Sequence, residues 1–95
     1  KADAGEAALN RAVALGNDRA FYPGLAAMMR IRKDPGDVAQ ARRLAEAAAA
    51  AAAPTPLDAQ MKRAALAILP ALRANDGKTA ARQSRKLMPF GKIAD

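Results

Sequence analysis

Seven consecutive alanines, Ala47 to Ala53, run straight into the segment Pro54-Thr55-Pro56. Alanine has the highest intrinsic helix propensity of any residue but only one methyl group to bury. A chain built this way forms helices readily and grips them weakly, so close approach between helices must supply what large side chains do not. Alanine accounts for 28 of the 95 residues, leaving 21 large apolar side chains within an apolar fraction of 52%. A buried leucine or methionine contributes roughly 1.5–3 kcal/mol and a buried alanine far less. The pattern specifies an all-α protein with a thin, small-residue core. Alternatively, its alanine surface is completed by a partner or by a second copy of the chain. The length fits one domain.

Start and stop signals divide the chain into a compact bundle of four to five short helices, at about 2–15, 22–33, 35–53, 56–74 and 78–88. The first carries Leu9, Ala12 and Val13 on one side and stops at Gly16-Asn17. Pro23 suits the opening turn of the second, where Phe21, Leu25, Met28 and Met29 share a face and Arg30, Arg32 and Lys33 complement the dipole at its end. For the third, Asp34 is the expected cap, with Pro35 at the first position and Asp37 three residues on, and the alanine run is its second half. Thr55 and Asp58 repeat that entry pattern for the fourth. Its stripe of Leu57, Met61, Ala64, Ala65, Ile68 and Leu72 is the most core-like in the chain, and Pro70 is expected to kink or break it. Asn75-Asp76-Gly77 reads as a turn, and Pro89 ends the fifth. Phe21 and Tyr22 belong at the edge of the core, and Met28, Met29 and Met61 are expected to fill it rather than to line a groove.

Composition removes several chemistries. Cysteine and histidine are both absent, so neither a disulfide nor a thiolate or imidazole metal site can form, and the commonest general base is missing. Asp34, Asp37 and Asp58 are accounted for as helix-start residues. Gly77-Lys78-Thr79 imitates the end of a phosphate-binding loop, but Leu72 stands where that loop needs its first glycine and no strand precedes it. Ser84 and Lys86 lie two apart on a helix and face different ways, so they make no catalytic pair. No enzyme activity and no cofactor are expected. The longest uncharged apolar stretches, Ala47–Ala53 and Ala64–Leu72, fall well short of the ~20 residues that cross a bilayer, so a soluble chain is expected. Its opening at Lys1 suggests a processed mature chain or an excised domain.

The net charge of +7 is unevenly placed: zero over residues 1–29, +2 over 30–53, +2 over 54–75 and +3 over 76–95. A positive field that grows along the chain favours anionic partners. Lys78, Arg82, Arg85 and Lys86, spaced by four, three and one, fall on one side of the fifth helix. A second group comprises Arg30, Arg32 and Lys33 with Arg42 and Arg43. Only three aromatic residues are present, which weighs against single-strand binding by base stacking and leaves duplex or phosphate-backbone contacts as the nucleic-acid mode. The apolar tail Leu87-Met88-Pro89-Phe90, flanked by cations, is too short to anchor the chain to an anionic membrane by itself. The reading that follows is a non-catalytic interaction module or accessory subunit. It docks on an acidic partner surface through its basic C-terminal half, with Ala48, Ala49 and Ala52 as a possible helix-docking face. Sequence-independent binding of nucleic acid is the alternative.

Overall fold

In a computed structural model, Ala7, Arg11 and residues 19–87 are described, and they form an all-α bundle. Four helices follow one another: α1 (Phe21–Lys33), α2 (Val38–Ala50), α3 (Pro56–Arg73) and α4 (Gly77–Leu87). The expected helix over 2–15 lies outside the described residues apart from Ala7 and Arg11, which are helical and exposed. The tail from Met88 onward also lies outside them.

Alanine sets the packing distance. Nine of the seventeen residues of the central cluster are alanine, and Met28, Ile31, Met61, Ile68, Leu69 and Leu72 are the large side chains most fully buried among them. Backbones therefore approach closely. A methyl group added at Gly24 of α1 would stand 2.9 Å from Met61 Cβ on α3. Met28 and Met61 are core residues, as expected, and Phe21 and Tyr22 meet edge to face at the core margin with ring centroids 5.3 Å apart.

Two boundaries of the alanine-bearing helix differ from the expected 35–53. Asp34 does not cap it. Its N–H donates to the Arg30 carbonyl and closes α1, while its carboxylate accepts the Gly36 N–H at 3.0 Å. Residues 34–37 thus form a turn, and the helix begins at Val38 after Asp37. At the other end the alanine run divides. Ala47–Ala50 are helical, but Ala51 turns extended with ψ 161°. Pro54 disfavours helical backbone in the residue before it, and two tertiary bonds hold the carbonyls released upstream. Ala52 accepts the Ala20 N–H at 2.9 Å, pairing with Arg19 as a single parallel bridge, and Ala51 accepts from Lys62 Nζ at 2.8 Å.

The entry to α3 follows the sequence. Thr55 Oγ1 accepts the Asp58 N–H and the Asp58 carboxylate accepts the Thr55 N–H, with Pro56 at the first helical position. Pro70 does not break the helix, which continues to Arg73. Its ring lies on the exposed side, where water can reach the carbonyl left without its N–H partner. Then α3 ends in a paired closure: Asn75 N–H donates to the Leu72 carbonyl and Asp76 N–H to that of Ala71, with Asn75 at φ 60°. Asp76 at once caps α4, accepting the Thr79 N–H at 3.1 Å and the Thr79 hydroxyl at 2.7 Å. Both of Thr79's groups hold the Asp76 carboxyl below the usual carboxylate range.

Candidate functional site

Helix α4 has two unlike sides. Gly77, Ala80, Ala81 and Ser84 are buried, facing α1 and α3. Lys78, Arg82, Arg85 and Lys86 are exposed. At about 100° of rotation per residue these four cations occupy an arc of about 100°. Asp76, at the N-terminal cap, is an acidic side chain near Lys78 and Arg82. Arg82 Nη2 reaches back to Thr79 Oγ1 at 3.4 Å, and Leu87, 43% exposed, lies about 100° round the helix from Lys86, near the azimuth of buried Ala80. Residues 19–87 carry thirteen Lys and Arg against five Asp and Glu, a net +8, so the described part of the chain is more basic than the whole.

Two members of the second basic group, Arg30 and Arg32, are engaged within the chain. Arg32 points onto α4 and is part of the packing: its Nε donates to Ser84 Oγ at 3.0 Å and its Nη2 to the Ser84 carbonyl at 2.6 Å. Arg30 pairs with Asp37 at 3.8 Å across the α1–α2 turn. Arg43 donates to Gln40 on its own helix, and Arg42, Arg43 and Lys33 are exposed. On the neighbouring faces Arg73 lies 3.6 Å from Glu46. Of the nine cations expected to meet an anionic partner, the four on α4 share a face, while Arg30 and Arg32 are turned to intramolecular work.

The expected alanine docking face is corrected in the same way. Ala48 is fully buried in the chain's own core and Ala49 packs against it. Ala52 is exposed as a side chain, but its carbonyl is taken by Ala20. The first part of the alanine run is a packing device, because methyl groups let α2 lie close to its neighbours.

The most enclosed polar arrangement is only partly written in local sequence. Asp58, with no solvent exposure, accepts from the Phe21 N–H at 2.9 Å, from Thr55 Oγ1 at 2.7 Å and from Arg19 Nε at 3.2 Å. Arg19 also lies over the Tyr22 ring, 5.8 Å from its centroid. Burial pushes the Asp58 carboxyl up, but the bonds from Thr55, Phe21 and Arg19 outweigh it and hold the group below its ordinary range. The Thr55–Asp58 box has a sequence signature. Its links to Arg19 and Phe21, 39 and 37 residues away, have none.

No group of three acidic side chains placed to hold a metal ion occurs among the described residues. Nor is any helix there long and apolar enough to cross a membrane. Comparison with protein-family models, curated proteins and solved structures produced no match. The chemistry of the surface is therefore what bears on function.

Proposed function

We propose that the chain is a non-catalytic docking module that binds an acidic protein surface through the outer face of α4. The observation that carries this reading is the division of that helix, with four cations on the side turned to solvent and only small residues on the side turned inward. A row of long, exposed cations with one capping carboxylate suits a row of carboxylates, through charge steering and complementarity rather than a deep pocket. Phe21 and Tyr22 pack on one another at the core edge and offer no platform for bases. Duplex nucleic acid, contacted through its phosphates, is the second reading, favoured by the same uninterrupted spacing of cations.

Affinity capture from host lysate, with and without nuclease, tests the choice. The expected result is one stoichiometric protein partner that survives nuclease. It is lost from a variant carrying Lys78→Gln, Arg82→Gln, Arg85→Gln and Lys86→Gln, whose affinity falls at least about thirtyfold. Capture of nucleic acid alone supports the second reading, and a partner retained undiminished by the variant overturns both.

A further inference from the structure

Helix α4 is attached differently from the other three. The others bury methionine, isoleucine, leucine or valine, whereas α4 buries a glycine, two alanines and a serine, and its one large apolar residue, Leu87, is 43% exposed. With eleven residues it is shorter than the ~12–15 at which even good isolated helices become marginal in water. Its cations repel one another at the spacings that weaken a helix, Lys78 with Arg82, Arg82 with Lys86 and Arg82 with Arg85. Tertiary contacts must hold it in place. At its N-terminus Gly77 lies against the Pro35 carbonyl. In its C-terminal half, Arg32 of α1 grips Ser84 twice, at the hydroxyl and the carbonyl, while the hydroxyl itself donates to the Ala81 carbonyl at 2.8 Å. Hydrogen bonds from a guanidinium are stronger than neutral ones, and here they fall where apolar burial is least.

We infer that Arg32 is a latch, whose two bonds to Ser84 keep α4 on the body of the bundle, and that α4 opens as a unit ahead of α1, α2 and α3. The latch rests on these contacts alone. Its use rests on the docking reading above: a partner's anions relieve the repulsion among the four cations, so binding closes the helix that carries the stripe.

Hydrogen exchange of the whole chain, followed by mass spectrometry at low salt, tests the latch. In the unmodified protein the amides of residues 81–87 exchange faster than those in the middle of α3. Arg32→Leu raises exchange in α4 by about tenfold or more while α1–α3 change little. Arg32→Lys, which keeps the charge but not the fork of donors, falls between the two and carries the same comparison if Arg32→Leu loosens the whole fold. Equal protection of α4 and α3 in the unmodified protein would overturn the latch, as would acceleration of all four helices alike by Arg32→Lys. Polyglutamate serves as the acidic probe for its use and is expected to slow exchange in α4. If it leaves α4 unchanged while the Arg32 variants behave as described, the latch stands and the docking reading falls.

Discussion

The backbone N–H of Phe21 donates to Asp58 Oδ1 at 2.9 Å, across 37 residues of chain. Phe21 is the first residue of α1, where helical N–H groups lack partners within their own helix, and the preceding Ala20 has no side chain with which to cap it. The carboxylate that caps α3 also supplies this second helix start. One side chain thereby fixes the beginnings of α1 and α3 relative to each other, and Arg19 neutralises it from the exposed side.

Replacing that carboxylate removes more than a local cap. Asp58→Asn removes the Asp58–Arg19 ion pair and exchanges acceptor oxygens for an amide that cannot satisfy the same donors. The unfolding midpoint should fall by roughly 10 °C in a thermal melt, against a few degrees at most for Asp34→Asn in the exposed turn.

The acid dependence follows from the lowered Asp58 and Asp76 carboxyls. Each group titrates at lower pH in the folded chain than in the unfolded one. The stability it contributes is therefore complete above the unfolded value, about pH 4, and is lost as pH falls through the folded value. The margin of the unmodified protein over Asp58→Asn should be constant from about pH 5 to 8 and shrink below about pH 4, measured by urea unfolding at each pH. A margin that widens on acidification would contradict the arrangement.

What could be read in advance follows the range of the physics. Thr55, Pro56 and Asp58 are neighbours in sequence, and so are Asn75, Asp76 and Gly77, and both junctions take the forms that local hydrogen bonding dictates. Asp34 has two local uses, capping α2 or closing α1 and turning the chain. The second is the one taken, with the Asp34 N–H on the Arg30 carbonyl and its carboxylate on the Gly36 N–H. Likewise Arg32 looks like a dipole-complementing surface cation until Ser84, 52 residues later, is brought beneath it. The basic stripe on α4 was visible because helical periodicity alone creates it. The alanine run ended three residues early because its last carbonyls are claimed by Ala20 and Lys62, contacts no local pattern encodes.

Gly77→Ala tests the close approach of α4 to the α1–α2 turn. Alanine is favoured over glycine inside a helix by about 1 kcal/mol. Here its Cβ would stand 1.7 Å from the Pro35 carbonyl oxygen, a backbone atom that cannot move aside. The clash should win, destabilising the protein by about 3 kcal/mol or more in denaturant unfolding. Gly36→Ala meets only the Asp34 side chain, at 3.2 Å, and should cost much less.

Asn75 occupies left-handed backbone at φ 60°, a region that asparagine tolerates and glycine enters freely. Asn75→Gly should stabilise the protein by about 0.5–1 kcal/mol and Asn75→Ala destabilise it by about 1 kcal/mol, both read from shifts in the denaturant midpoint. The opposite order would mean that the closure between α3 and α4 is not the one described.

The docking role of α4 is tested most directly by zero-length carbodiimide coupling of the chain to whatever it captures from nuclease-treated host lysate, because that reaction joins lysine ammonium groups to carboxylates in contact. Links are expected from Lys78 and Lys86 to aspartates and glutamates of one protein. Arg82→Gln with Arg85→Gln, which keeps both lysines, should sharply reduce them, and Lys62, already bonded to the Ala51 carbonyl, should give few. Links spread evenly over Lys33, Lys62, Lys78 and Lys86, or undiminished by the two arginine substitutions, would contradict the docking role.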